Sequence, residues 1–289
     1  MYREIDLNEW TLFSARRNSQ NYHNADKTQH LKVVTHSAHY SAEEEFERAT
    51  LVYNAGIVTP KPLELVSCDE NTGIIYEYIQ GKKSILRAVT ENPDSMEENM
   101  IRWAKVYRKF HDTPCDTNKF PDFQAKVLEL LDKPNGFTRK QKEYLVNFLK
   151  NEEPRETFIL GDSNPSNFIF VGDKDYIIDL SECSYGNPMF DFGEYYCTVF
   201  GKNLILNYAA KKVLKTDLNE LKRGWPFFLK AYYGTDDEAF LDEMTKKIRV
   251  YAVIMRFYGL HMTDVHKKLY GLRDHMVRDY FNQFIGKDY

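Results

Sequence analysis

Cysteine is scarce in this 289-residue sequence, which has four, and no two of them form a Cys-x-x-Cys pair or stand near a histidine at metal-ligand spacing. This scatter argues against a zinc module or a disulfide framework and is typical of a reducing compartment. Long apolar runs are also missing, because no stretch approaches the ~20 residues that a membrane span needs. The N-terminus carries acids where a secretion signal would have an apolar core. We therefore expect a cytoplasmic protein.

Basic clusters are absent as well. The 39 Lys and Arg residues are outnumbered by 43 Asp and Glu residues, which gives a formal net charge of −4. A nucleic-acid surface needs a basic face that neutralises many phosphates, so we expect no nucleic-acid partner. With 43% apolar residues, the chain has the composition of an ordinary folded protein that can bury a substantial core.

The first part of the chain predicts a small sheet. A strand is predicted over residues 30–34, where apolar residues share one face and Lys32 takes the other. Two further strands are predicted over residues 63–67 and 74–79, joined by the turn residues 69–73. These segments indicate an antiparallel arrangement of short strands.

One helix is predicted within this part. Ser41 and Glu44 form a capping-box pattern, in which each side chain satisfies a backbone group of the other residue. The helix is expected to run to about residue 55, and Gly56 is available as a left-handed terminator. Glu45 lies inside it.

After Gly81 the apolar period changes from two to about 3.6, which predicts a boundary between a small α+β part and a larger, mainly helical part. A Ser95-x-x-Glu98 pattern predicts another capped helix, and the triplet Gly224-Trp225-Pro226 predicts a helix break. The predicted helices cover residues 95–111, 122–132, 138–150 and most of the chain beyond 189. Three apolar runs are too short for helices and predict strands: residues 158–160, 168–171 and 176–179.

The most informative residues lie around these last strands. Asp162 and Asn167 are five residues apart in a polar loop between two apolar runs, and Asp179 follows 17 residues after Asp162 at the end of the next strand. Phosphoryl transfer needs oxygen ligands for Mg²⁺ and a group that orients the acceptor hydroxyl. Two carboxylates and a carboxamide meet these needs, although Asp and Asn also build ordinary turns.

Residues 160–169 (Leu-Gly-Asp-Ser-Asn-Pro-Ser-Asn-Phe-Ile) resemble the His-Gly-Asp-x-x-x-x-Asn loop of the aminoglycoside phosphotransferase and choline kinase family. The segment Ile177-Ile178-Asp179 resembles that family's metal-binding strand end. The resemblance implies the two-lobed α+β fold of protein kinases. Residues 1–81 would form a small ATP-binding lobe with an antiparallel sheet and one helix, and residues 82–289 a larger helical lobe for catalysis and acceptor binding.

The resemblance also implies roles for single residues. Asp162 would be the catalytic base or the group that orients the acceptor hydroxyl, and Asn167 and Asp179 would hold the Mg²⁺ ions that bridge the ATP phosphates. Residues 186–193 resemble the family's downstream Gly-x-Pro-x-x-Asp element. Its Asp191 would brace the catalytic loop; a helix cap is the alternative.

Upstream, Lys32 and Glu45 resemble the family's phosphate-binding lysine and its ion-pair partner. Glu44 and Glu47 are alternatives to Glu45, and the simplest other interpretation is that all of them lie at the surface.

Residues 74–81 resemble the family's interlobe hinge, in which the carbonyl of Glu77 and the N–H of Ile79 would face the adenine edge of ATP. A buried strand without a ligand would have the same pattern. A further match to a family helix end includes His111, which we expect to be structural.

The sequence departs from the family pattern at two places. The first 55 residues contain no glycine, so the Gly-rich turn over the nucleotide phosphates is missing. Residues 14–19 stand there instead, and phosphate contacts would fall to backbone N–H groups, Ser14, Ser19, Arg16 or Arg17. Leu160 replaces the His that begins the catalytic loop.

Together these patterns predict an ATP- and Mg²⁺-dependent phosphotransferase that acts on a hydroxyl of a small molecule, such as an aminoglycoside-, choline- or sugar-like acceptor. The alternative is a nucleotide-binding pseudokinase that serves as a scaffold or sensor, suggested by the missing glycines and by Leu160. A protein kinase is disfavoured, because only 11 residues lie between Asp179 and Asp191, too few for an activation segment.

Residues 200–289, where such enzymes build the acceptor pocket, match no motif. An aromatic and acidic pocket for a cation is one interpretation of this region, and helix packing with a helix cap is the other. The residues concerned are Trp225, Phe227, Phe228, Tyr232, Tyr233, Asp236, Asp237 and Glu238.

Overall fold

The computed structural model of the chain describes residues 2–16, 18–35, 41–201, 218–262 and 270–287. Its β-strands are β1 (Arg3–Glu4), β2 (Thr11–Ala15), β3 (Ser19–His23), β4 (Gln29–Val34), β5 (Pro62–Cys68), β6 (Asn71–Glu77), β7 (Lys83–Ser84), β8 (Phe158–Ile159), β9 (Phe168–Val171), β10 (Lys174–Ile177) and β11 (Ser184–Tyr185). Its α-helices are α1 (Ala42–Asn54), α2 (Ile85–Glu91), α3 (Met96–Asp112), α4 (Phe123–Asp132), α5 (Arg139–Lys150), α6 (Met189–Phe200), α7 (Leu218–Tyr233), α8 (Glu238–Met262) and α9 (Tyr270–Phe284).

The first of two compact units consists of Met1–Ser84 and Asn167–Cys183. Its main sheet has six strands in the order β1-β5-β6-β4-β3-β2. All neighbouring pairs are antiparallel except β1 and β5, which are parallel. A second sheet in this unit has the order β10-β9-β7.

Strand β4 lies inside the main sheet and positions Lys32. Leu31 and Val33 point into the apolar core of this unit, where they are almost fully buried. Lys32 takes the opposite face and is paired in register with Asn21 on β3 and with Ile74 on β6. Two ladders of backbone hydrogen bonds therefore hold the strand that carries the lysine.

The hairpin of β5 and β6 is tighter than the sequence pattern indicates. Only Asp69 and Glu70 form the turn, since Cys68 and Asn71 already pair across the two strands. Asp69 has a φ of 52°, the left-handed conformation that two-residue hairpin turns require and that Asp tolerates.

Helix α1 begins as predicted. The Ser41 hydroxyl accepts a bond of 3.1 Å from the N–H of Glu44, and the Glu44 carboxylate accepts one of 2.9 Å from the N–H of Ser41. The helix ends before Gly56, whose φ of 83° places it in the left-handed region. Both ends of α1 are therefore set by local sequence, which places Glu45 in its first turn.

The second unit, Ile85–Ser166 and Ser184–Tyr289, is mainly helical. Side chains from α4, α5, α6, α8 and α9 form an apolar core in it. Helices α6 and α8 approach closely at Gly193, where an added Cβ would lie 2.6 Å from the carbonyl carbon of Tyr251. None of the helices in the described ranges combines the length and the apolar character of a membrane span.

The predicted capping box at Ser95 is wrong. Its hydroxyl donates to the carbonyl oxygen of Asn92 at 2.7 Å and makes no capping bond to a backbone N–H of α3. A short 3₁₀ turn over Pro93–Ser95 leads into α3 instead. At the start of α5 a capping box is present, because Thr138 and Gln141 exchange both bonds.

The predicted helix break at Pro226 is also wrong, because α7 runs through it. An interior proline costs about 3 kcal/mol, since it lacks the N–H that would bond one turn back. Trp225 and Phe228 flank it and are buried, and the Phe228 ring lies 5.0 Å from the Trp103 ring of α3. Burying two large rings contributes roughly 1.5–3 kcal/mol each, which is enough to offset the loss.

Candidate functional site

The structure distributes the predicted site residues over the two units. The residues expected to contact the phosphates, the metal ions or the adenine of ATP lie in the first unit: Lys32, Glu45, Glu77, Ile79, Asn167 and Asp179. The expected base, Asp162, and its expected brace, Asp191, lie in the second unit.

Lys32 is the centre of the polar cluster in the first unit. Its Nζ lies 2.8 Å from both carboxylate oxygens of Glu45 and 2.9 Å from Oδ1 of Asp179. The hydroxyl of Tyr76 also donates to Glu45, at 3.1 Å. The side chains of Lys32 and Glu45 are only 9% and 2% exposed, so this ion pair is shielded from water.

Of the three glutamates considered, Glu45 is the one that contacts Lys32. Glu44 is engaged in the capping box and Glu47 is exposed. Glu45 shares the buried face of α1 with Ala49 and Val52, four and seven residues later. This helical spacing was visible in the sequence and is the signal that separates Glu45 from its neighbours.

Charges and burial act in opposite directions within the cluster. Burial raises the pKa of Glu45, and Lys32 opposes that effect. Lys32 is the largest influence on Asp179 and lowers the pKa of that carboxyl, and the positive charge of Arg16 acts in the same direction. Asp179 is therefore a carboxylate at neutral pH.

Asp179 has an unusual backbone. Its φ of 64° lies in the left-handed region, which costs a residue with a Cβ about 1 kcal/mol or more. Lys32 and the hydroxyl of Ser181 both donate to Oδ1, and Arg48 donates to the Ser181 carbonyl. The other oxygen, Oδ2, accepts no hydrogen bond from the residues that the structure describes.

Asn167 and Asp179 suit a magnesium ion by their chemistry. Asn167 is buried. Its backbone carbonyl accepts a bond of 2.9 Å from the N–H of Ile178, the residue before Asp179. Carboxylate and amide oxygens are hard ligands, and Mg²⁺ commonly takes one or two protein ligands plus phosphate oxygens. Across the described part of the chain there is no cluster of three or more His, Cys, Asp or Glu that could hold a metal alone.

The predicted hinge residues lie at the end of strand β6 and directly after it. Glu77 is the last residue of β6, where its N–H donates to the Lys61 carbonyl at 2.9 Å. The N–H of Tyr78 donates to the Thr28 carbonyl at 2.9 Å, and Ile79 is buried. Contact of this segment with a nucleotide base stays a prediction.

The hairpin of β2 and β3 stands where the family has its glycines. The N–H of Arg16 donates to the Ser19 carbonyl at 2.8 Å and closes the turn. Arg16 is exposed, Ser14 is half-buried and Ser19 is buried, whereas Arg17 lies outside the described residues. The charge of Arg16 influences Asp179, so this turn places a cation near the candidate metal ligand.

In the second unit, Asp191 is bonded to the backbone of the loop that carries Asp162. It is fully buried, and its carboxylate accepts bonds of 2.8 Å and 2.9 Å from the N–H groups of Leu160 and Gly161. His111 lies 2.9 Å from the same carboxylate, and its other ring nitrogen lies 3.1 Å from the Tyr232 hydroxyl. These contacts favour the bracing interpretation over a helix cap. His111 acts as a structural link, as the sequence indicated.

Two further residues, which the sequence did not indicate, hold the loop at Ser163. The Tyr107 hydroxyl donates to Ser163 Oγ at 2.5 Å, and the N–H of Ser163 donates to Glu194. Glu194 follows Asp191 by three residues on α6, and this spacing, which puts both on one helix face, is the only signal that the sequence offered. Asp162 itself is partly exposed.

The aromatic residues near α7 favour the packing interpretation over a cation pocket. Trp225, Phe228 and Tyr232 are buried, and the Tyr232 ring meets the Phe192 ring edge-on at 4.6 Å. Asp237 caps α8, because its carboxylate accepts bonds of 3.0 Å and 3.2 Å from the first N–H groups of that helix.

Comparison with known proteins adds a family and a fold. The model of the phosphotransferase enzyme family, APH, matches residues 9–214. Ethanolamine kinase from Plasmodium vivax superposes with a TM-score of 0.63 at 16% identity, covering 97% of this chain and 85% of that one. Choline kinase LicA from Streptococcus pneumoniae gives 0.56 at 12% identity, covering 95% of each chain.

A thermostable mutant of aminoglycoside phosphotransferase APH(4)-Ia, in a ternary complex with ADP and hygromycin B, gives a TM-score of 0.65 at 12% identity, covering 96% of this chain and 95% of that one. No curated relative matches the sequence. Identities this low bear on the fold alone. The α+β fold of the protein-kinase type, which the sequence predicted, is confirmed.

Proposed function

The chain belongs to the phosphotransferase enzyme family, and from this premise we propose that it uses ATP and Mg²⁺ to phosphorylate a hydroxyl of a small molecule. The observation that carries the proposal is the shielded cluster of Lys32, Glu45 and Asp179. It holds one ammonium group and one carboxylate oxygen, Oδ2 of Asp179, in place for phosphate and metal. Such a cluster would serve little purpose for packing alone, since a buried ion pair is weak support for stability.

Each predicted site residue of the first unit has a role in this proposal. Lys32 binds a phosphate of ATP, and Glu45 fixes the position of the ammonium group. Asn167 and Asp179 are the residues that would hold Mg²⁺, which when bound offsets negative charge on the phosphates. Glu77 and Ile79 would bind the adenine edge through their backbone groups.

Asp162 supplies the base in the second unit. Its carboxylate would accept the hydrogen of the acceptor hydroxyl and orient the oxygen for attack on the terminal phosphoryl group. The bonds from the loop backbone to Asp191 hold Asp162 in a fixed frame. Preorganisation of this kind is the main source of catalysis in phosphoryl transfer.

The acceptor that we propose is a small aminated alcohol. Structural neighbours of the chain include an ethanolamine kinase, a choline kinase and an aminoglycoside phosphotransferase. ATP turnover against a panel of amino alcohols, aminoglycosides, sugars and nucleosides tests this choice. We also propose a cytoplasmic location, in keeping with four free and buried cysteines.

Asp162→Asn tests the assignment of the base. The variant keeps the size of the side chain and one acceptor oxygen but removes its basicity, so kcat should fall by at least about 100-fold while the Kd for ATP stays within about twofold. Asp173→Asn, in the exposed turn before β10, is the matched control and should keep full turnover. Parent-like turnover of Asp162→Asn would contradict the assignment.

The same proteins address the pseudokinase alternative, which the glycine-free turn at Arg16 favours. Mg²⁺ and ATP should raise the thermal midpoint of the parent, and Asp179→Ala should lose the part of that rise that depends on Mg²⁺. A rise without turnover on any acceptor of the panel would favour the scaffold over the enzyme.

A further inference from the structure

Glu194 brings a second carboxyl group to the proposed base. The N–H of Ser163, the residue after Asp162, donates to Oε2 of Glu194. The carboxyl group of Asp162 lies close enough to act on that of Glu194, both by its charge and as a hydrogen-bond partner. Carboxylates have only acceptor atoms, so the two groups share a hydrogen bond only when one of them carries a proton.

The surroundings indicate that Glu194 carries the proton. Burial is the largest influence and raises the pKa of Glu194 well above its usual range. The negative charges of Asp162 and Asp191 act in the same direction, whereas the bond from Ser163 opposes them. From α3, Tyr107 faces this region as a neutral phenol, because burial raises its own pKa well above the usual value.

The remaining neighbours on α6 and α8 do not supply a compensating positive charge. Cys197 lies one turn beyond Glu194, and burial raises the pKa of its thiol to about 12. Arg256 of α8 lies close enough to Cys197 to influence it but is not among the main influences on Glu194. Glu194 thus faces a neutral or negative environment, in which the protonated acid is the favoured form.

We propose that Glu194 is a carboxylic acid at neutral pH and positions the catalytic base, donating its hydrogen bond to Asp162 while accepting the N–H of Ser163. The proposal rests on the proposed function of Asp162 as base. With the proton on Glu194, Asp162 stays a carboxylate whose orientation is set by a fixed donor. Glu194 itself is a positioning residue, since it acts on the acceptor only through Asp162.

The proposal has a consequence for the pH dependence of the rate. As the pH rises through the pKa of Glu194, the proton is lost, the hydrogen bond disappears and two negative charges lie in contact. Asp162 is then pushed from its position, so the rate should fall on the alkaline side. Glutamine carries the same donor and acceptor atoms without titrating, so Glu194→Gln should lack this alkaline fall.

Carboxyl NMR tests the protonation state without reference to activity. With ¹³C at the side-chain carboxyl of glutamate, the signal of Glu194 is identified by its absence in Glu194→Gln. We expect it to show the protonated form at pH 7 and to titrate well above the usual range of a glutamate. In Asp162→Asn the titration should move back toward lower pH, because a negative neighbour is gone. An ionised Glu194 at pH 7 would overturn the proposal.

Hydrolysis of MgATP without an acceptor tests the positioning role. Glu194→Leu should lose about 30-fold or more in kcat with little change in KM for ATP, and Glu194→Gln should recover most of that loss. Glu243→Leu is the surface control. Equal losses in the Leu and Gln variants, or an unchanged alkaline limb in Glu194→Gln, would mean that Glu194 only packs the loop.

The two measurements separate the two proposals. If no form of the protein hydrolyses MgATP or phosphorylates an acceptor, the proposed function fails and the positioning role fails with it. The NMR titration still decides whether Glu194 and Asp162 form an acid and carboxylate pair. If the parent is active and Glu194 titrates as an ordinary surface carboxyl, only the present inference fails.

Discussion

At the scale of single residues, Lys32 is the positive charge that pairs with two carboxylates in the first unit. One ammonium group meets the carboxylates of Glu45 and Asp179 within 2.9 Å. Removal of the lysine leaves Glu45 buried beside Asp179 without the ammonium group that both carboxylates contact. A buried charge that loses its partner is far more harmful than an exposed one, because water cannot replace the partner.

Lys32→Met should therefore lower the free energy of unfolding by about 3 kcal/mol. The double variant Lys32→Met/Glu45→Gln should recover a large part of this loss, because glutamine carries no charge and still accepts the bond from Tyr76. Urea unfolding followed by circular dichroism measures both values and gives the coupling energy of the pair.

The exposed pair Arg3 and Glu64 provides the matched control. Their side chains are 53% and 42% exposed, so Arg3→Met should change the free energy of unfolding by less than about 1 kcal/mol. A loss in Lys32→Met no larger than that in Arg3→Met would show that the cluster contributes nothing beyond a surface ion pair.

The sequence singles out candidate site residues where a polar residue interrupts an apolar pattern. Asp162 and Asp179 stand out because each follows or ends a short strand, and Glu45 falls on the buried side of an amphipathic helix. The contact of Glu194 with Ser163, next to Asp162, was not predictable in this way. It depends on how α6 approaches the catalytic loop, which is a property of tertiary packing rather than of local pattern.

At the scale of elements, the contact of α6 with α8 depends on Gly193. An added Cβ would lie 2.6 Å from the carbonyl carbon and 2.8 Å from an amide nitrogen of α8, and neither backbone atom can rotate away. Any larger residue must therefore separate the two helices.

Gly193→Ala should destabilise the protein by about 2 kcal/mol or more, although alanine has the better helix propensity. Gly259→Ala, in α8, is the control, since an added Cβ meets nothing within 4 Å there. It should raise stability by up to about 1 kcal/mol. Thermal unfolding of the two variants checks the opposite signs, and a stabilising Gly193→Ala would refute the close approach.

Element boundaries were predictable where local chemistry decides them. The boxes at Ser41 and Thr138 form because each side chain meets the N–H three residues later, and these rules are local. Ser95 and Pro226 show the limits of such rules. A 3₁₀ turn precedes α3 in place of a capping box. Packing of buried aromatic rings stabilises α7 despite its interior proline.

At the scale of the whole molecule, every cysteine is a buried, free thiol. Burial raises the pKa of Cys68 to about 11 and the pKa values of Cys115 and Cys197 to about 12. The thiolate is the reactive form. The thiols of Cys68, Cys115 and Cys197 are therefore protected in two ways, because burial keeps reagents out and the raised pKa keeps the thiol protonated.

Ellman's reagent at pH 8 should therefore modify less than one thiol per native chain within minutes and all four after unfolding in guanidinium chloride. The difference makes thiol release a direct measure of global unfolding. Rapid modification of one native cysteine would show that the segment around it opens locally.

One turn of α6 joins tasks that proteins usually keep apart. Asp191 holds the loop backbone, Gly193 admits the neighbouring helix and Glu194 accepts the N–H of Ser163 next to the proposed base, all within four consecutive residues. A substitution that shifts this turn to improve packing also moves two supports of the loop. Evolution of this enzyme can therefore adjust stability elsewhere in the core, but in this turn a gain in stability and a loss of rate would be inherited together.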